Sequence, residues 1–86
     1  MILQEGLESI GDYCFCDTRI REIVIPRTVK SIGDNAFYEC KNLIDVTLPE
    51  GLESIGVGCF RYTAIKEIII PKSVKSIGKY AFSGYR

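Results

Sequence analysis

Pro26-Arg-Thr-Val-Lys-Ser-Ile-Gly-Asp-Asn-Ala-Phe-Tyr-Glu-Cys-Lys-Asn-Leu-Ile-Asp-Val-Thr-Leu48 decides the fold, because the rest of the chain repeats it, whole or cut short. Its Ile32-Gly33 step recurs at Ile10-Gly11, Ile55-Gly56 and Ile77-Gly78, at intervals of 22, 23 and 22 residues. A fixed period in that range marks stacked repeats. Reading outward from the stretch gives repeats over about 4–25, 26–48, 49–70 and 71–86, in a single domain spanning 1–86.

Within the stretch, Leu43-x-x-Val46-x-Leu48 alternates near its end, as do Ile20-x-x-Ile23-x-Ile25 and Ile65-x-x-Ile68-x-Ile70. Period two with β-branched residues predicts a strand with one buried face. Pro26, Pro49 and Pro71 follow at once, and proline, lacking a ladder N–H, marks the exit from each strand. Leu7, Val29, Leu52 and Val74, each with an isoleucine three residues on, predict a short second strand. The glycine after each isoleucine permits positive φ or a close backbone approach. The next residues predict a single helical turn that drops Phe15, Phe37, Phe60 and Phe82 into the core. Parallel strands need crossovers, and a coil of about 22 residues supplies one per repeat.

A longer period overlies the first. Glu5–Gly11 recurs identically at Glu50–Gly56, and Pro26–Gly33 nearly so at Pro71–Gly78, both displaced by 45 residues, which points to duplication of a two-repeat unit. Charge alternates with it: Glu8, Lys30, Glu53, Lys75 in one column and Glu5, Arg27, Glu50, Lys72 in another. Rungs about 4.8 Å apart would place opposite charges side by side. Exposed pairs of this kind contribute about 0.2–1 kcal/mol each, so their larger role is to fix register. The Ser9, Ser31, Ser54, Ser76 column reads as a hydroxyl ladder, not as a set of nucleophiles.

Composition excludes several classes. Eleven acidic and eleven basic residues cancel over 86 residues, which argues against nucleic-acid or anionic-membrane partners. No apolar run approaches the roughly 18 residues of a membrane span, so no membrane insertion is expected. No signal-peptide pattern follows Met1, and the chain reads as a fragment of a longer protein.

The pattern Val29-x-x-Ile32-Gly33-x-x-Ala36-Phe37-x-x-Cys40-x-x-Leu43-x-x-Val46-x-Leu48-Pro49 closely resembles the BspA-like, or Treponema pallidum-type, leucine-rich repeats. The resemblance covers essentially the whole chain. It implies a leucine-rich-repeat solenoid: a right-handed, β-rich coil with a parallel sheet and short helical turns. It also implies a non-catalytic protein-binding or adhesion module on a cell-surface or secreted protein, contacting a host or other cell-surface protein. A structural spacer or an intracellular scaffold is the alternative. The repeat motif specifies scaffold positions only. Departures are Cys14 and Cys59 at the alanine position, Gln4 at the proline position and Tyr85 at the Cys/Thr position.

Chemistry finds little footing. The sequence has no histidine, so no Ser-His or Cys-His pair exists, and no enzyme activity is expected. Gly56-x-Gly58 lacks the rest of a phosphate loop. No cofactor is implied. Cys14-x-Cys16 is close-spaced, but Cys40 and Cys59 stand on other rungs, without the ligand spacing of zinc. Cys14 and Cys59 share the small buried column with Ala36 and Ala81. Two rungs separate them by about 10 Å, beyond the roughly 7 Å Cα limit of a disulfide, which leaves Cys16 as the exposed thiol.

Surface remains. Residues flanking the middle buried position of each main strand should face solvent: Glu22, Asp45 and Glu67 on one side, Val24, Thr47 and Ile69 on the other. An acidic stripe beside an apolar one is the candidate protein-binding face, weighed against ordinary solvated positions partly neutralised by Arg21 and Lys66. Truncated repeats also leave open strand edges at both ends, which predicts end-to-end self-association.

Overall fold

Among the described residues, six short strands, all paired in parallel, arise from the predicted apolar positions: β1 (Ser9–Ile10), β2 (Glu22–Val24), β3 (Ser31–Ile32), β4 (Asp45–Thr47), β5 (Ser54–Ile55) and β6 (Ser76–Ile77). The structure is a computed structural model and describes Leu3 and residues 6–83. Expectations resting on Gln4, Glu5 and Tyr85 fall outside those residues.

The short second strands form one four-stranded sheet in the order β1-β3-β5-β6. Ser9 pairs with Ser31, Ser31 with Ser54 and Ser54 with Ser76, so each repeat lies beside the next in register. The main strands form a second sheet, β2-β4, with Glu22 opposite Asp45, Ile23 opposite Val46 and Val24 opposite Thr47. A third main strand over 65–70 does not form. Ala64 N–H still donates to Leu43 O at 3.0 Å, but the segment beyond leaves the ladder. Ile68 and Ile70 there are only half-buried.

The expected helical turn is also corrected: no helix occurs among the described residues. Left-handed residues break the path every four positions, at Tyr13 and Asp17 (φ 58° and 59°), Asn35 and Glu39 (56° and 57°), and Gly58 and Tyr62 (61° and 62°). Between them the chain runs as overlapping turns, and its N–H groups divide two ways. Cys14 and Cys16 donate within the rung, to Gly11 O and Tyr13 O. Tyr13, Phe15 and Asp17 donate to Asp34, Ala36 and Tyr38 on the next rung, at 3.0, 2.8 and 2.8 Å. The same scheme repeats one rung on, where Asn35, Phe37 and Glu39 donate to Val57, Cys59 and Arg61. The turns therefore satisfy their own backbone as a third ladder.

Between the ladders lies the core. Phe15, Phe37, Phe60 and Phe82 stack with centroids 5.2, 5.1 and 5.5 Å apart and interplanar angles under 10°. Leu43, Leu52, Ile65, Val29 and the small residues Ala36, Cys40 and Cys59 complete it, each 0% exposed. The glycines after the isoleucines serve close approach, not positive φ. A Cβ on Gly56 would fall 2.6 Å from Asp34 N and from Gly33 C, whereas a Cβ on Gly11 would meet nothing within 4 Å.

The 45-residue period has a structural cause. Thr28 Oγ1 donates to Leu7 O at 2.6 Å and accepts Gly6 N–H at 3.2 Å; Ser73 Oγ donates to Leu52 O at 2.7 Å and accepts Gly51 N–H at 3.0 Å. Gly6 and Gly51 take φ of 96° and 97°, which favours glycine. An even repeat thus offers a hydroxyl to the glycine turn of the odd repeat before it. The Ser9–Ser76 column stacks in register, but its hydroxyls form no ladder among the described residues. The molecule measures 31 × 24 × 22 Å, so at this length the stack is not elongated.

Candidate functional site

Strands β2 and β4 alternate exposed, buried, exposed, with Ile23 and Val46 turned into the core. This pleat puts Glu22 and Asp45 in one exposed column and Val24 and Thr47 in the other, in direct register. Glu67 and Ile69 are exposed too, Ile69 at 86%. Because 65–70 leaves the ladder, these two residues face Asp45, Thr47 and Leu48 across a shallow cleft. The structure therefore gathers the six predicted surface residues on one side, four in register and two across the cleft.

A second surface cluster was not anticipated from the sequence. The Arg61 guanidinium lies 4.9 Å from the Tyr62 ring centroid and 4.8 Å from that of Tyr80, within cation–π range. Tyr62 meets Tyr38 edge-on at 5.8 Å. The signal was present in the residues just after the core phenylalanine, Tyr38 and Arg61-Tyr62, but it became visible only once the turns were stacked. Arg61 Nε is buried without a hydrogen-bond partner, consistent with a guanidinium held by ring faces.

The cysteines depart from expectation in two respects, since Cys14 was expected to be buried and Cys16 to be the exposed thiol. Cys59 is buried as predicted, whereas Cys14 is exposed and Cys16 half-buried. Cys14 shares the motif position of Ala36 and Cys59, but no rung among the described residues covers it. Burial pushes the Cys59 thiol far above its ordinary 9.0. The Cys16 thiol is also raised, by burial first and then by Asp17, Cys40 and Glu39 nearby. Cys40 Sγ donates to Phe15 O at 3.0 Å and lies 3.4 Å from Thr18 Oγ1, so it acts as a polar link between rungs. All four thiols are free. Among the described residues, no three of His, Cys, Asp and Glu converge as metal ligands.

The repeat register, the phenylalanine stack and the glycine seats together define the repeat type. A family model described as BspA type leucine rich repeat region (6 copies) matches residues 1–86. The chain belongs to that family. No curated protein matches it. Leucine-rich repeats generally mediate protein–protein contact, and the BspA-type repeats are typically found on cell-surface proteins. No helix among the described residues is long and apolar enough to cross a membrane.

Proposed function

We propose that this BspA-type leucine-rich repeat is a non-catalytic protein-binding module of a cell-surface adhesion protein, built as a segment of right-handed solenoid with about four repeats of 22–23 residues. The observation that carries the reading is the face of β2 and β4. Val24 and Ile69 stand 46% and 86% exposed beside three carboxylates, with Ile44, also exposed, just before β4. An apolar stripe bordered by acids fits a protein segment with apolar and basic residues.

The test is adhesion. Beads carrying the chain are compared on immobilised extracellular-matrix proteins and on intact cells with beads carrying Val24→Asp plus Ile69→Asp. Both substitutions fall on exposed side chains, so the fold should persist. Retention is expected for the wild type and a loss of at least tenfold for the double variant, about 1.4 kcal/mol. Equal retention would refute the assigned face. No retention of the wild type on any surface would favour the spacer reading.

A further inference from the structure

The edge of β4 that faces 66–70 is an unpaired strand edge within the stack. We propose that it takes an extended segment of a partner protein, with alternating basic and apolar residues, added to the sheet as a further strand. This rests on the protein-binding reading of the same face and names how the partner is held. Successive residues of a strand turn their backbone groups to opposite sides. Asp45 and Thr47 turn theirs to β2, where Asp45 N–H donates to Arg21 O at 3.3 Å and Thr47 O accepts Ile25 N–H at 3.0 Å. Val46 and Leu48 therefore turn theirs the other way, toward 66–70. No backbone hydrogen bond joins residues 65–70 to β4 or Leu48; the last on that side runs from Ala64 N–H to Leu43 O at 3.0 Å. Val46 N–H, Val46 O and Leu48 N–H are thus left open, and the cleft that separates β4 from Glu67, Ile68 and Ile69 reaches both residues. An open edge of this kind is a template for another strand.

Side chains set the chemistry of the partner. A strand laid along this edge continues the pleat, so its side chains alternate between an outward row and an inward one. The outward neighbours are carboxylates on both walls of the cleft, Asp45 and Glu67, each exposed and without an ion-pair partner among the described residues. The inward neighbours, Leu48 and Ile68, are apolar and half-buried. Lysine or arginine outward and valine or isoleucine inward would complement both rows. The backbone bonds supply the hold, and the two rows of side chains supply the choice. The far wall has donors to offer as well: from Lys66 to Ile70 no backbone N–H has an acceptor among the described residues.

The probe is a synthetic peptide of alternating lysine and valine, blocked at both ends and about six residues long, a common strand length. It is titrated into the isotopically labelled chain while amide exchange is followed by NMR. Val46 and Leu48 should exchange with little protection in the free chain and about tenfold more slowly at saturation. The same peptide N-methylated at every backbone amide keeps its side chains but cannot donate, and should bind about tenfold more weakly. Asp45→Asn plus Glu67→Gln should weaken the unmodified peptide by a similar factor. Protection of Val46 and Leu48 in the free chain would show that 66–70 already fills the edge, and would overturn the proposal. Binding that leaves both amides unprotected, or equal binding of the methylated peptide, would overturn it too, while leaving the face of β2 and β4 as a protein-binding surface. A peptide that does not bind also overturns it; the bead comparison with Val24→Asp plus Ile69→Asp, which reads outward side chains and not backbone, then decides whether the face fails as well.

Discussion

Residues at the same motif position carry different weight according to the rungs that cover them. Phe37 is wholly buried between Phe15 and Phe60, while Phe82 is half-buried with a partner on one side. Truncating a buried phenylalanine to alanine costs about 3–5 kcal/mol, close to the whole stability of a small domain at the low end of about 5–15 kcal/mol. Phe37→Ala should therefore lower the urea midpoint drastically, and Phe82→Ala visibly less. Cys59 gives a pH signature. Its thiol stays protonated in the fold, while the unfolded chain ionises near the ordinary 9.0. The folded state then holds more protons, and stability falls as pH rises above about 9. Cys59→Ala, which matches the alanine at Ala36 and Ala81, should flatten that decline in urea melts between pH 8 and 10; an unchanged slope would assign it to other groups. Burial of Cys59 was legible from its column, but exposure of Cys14 was not, because it depends on a covering rung and not on residue type.

At the scale of elements, the parallel strands were legible because period two and the fixed interval are written in apolar residues. The turns were not. Their ladder needs left-handed residues, and of these only Asn35, Asp17 and Gly58 belong to types that commonly adopt that region; Tyr13, Glu39, Tyr62 and Tyr80 give no such hint. The hydroxyl that links repeats was likewise sought in the wrong column. Ser73 holds Leu52 O and Gly51 N–H together, so Ser73→Ala orphans two partly buried groups and should cost about 1–3 kcal/mol. Ser31→Ala removes a hydroxyl that bonds to nothing described, and should stay within about 0.5 kcal/mol. Chemical denaturation of the two variants checks the contrast. The strand missing over 65–70 could not be foreseen from Ile65-x-x-Ile68-x-Ile70, whose local preference is fully β.

For the whole molecule, the acidic and apolar columns of the candidate face were legible down to the residue, since the pleat fixes which side chains turn outward. The cleft that separates Glu67 and Ile69 from the other four was not, because it follows from the missing strand. The face of β2 and β4 exists only if successive repeats lie side by side in parallel. Backbone NOE contacts in an isotopically labelled sample test that most directly. Cross-strand contacts are expected to link Ile10 to Ile32, Ile32 to Ile55 and Ile55 to Ile77, together with turn contacts from Phe37 to Cys59. Contacts between neighbouring segments in antiparallel order, or none joining residues 22 or 23 apart, would contradict it.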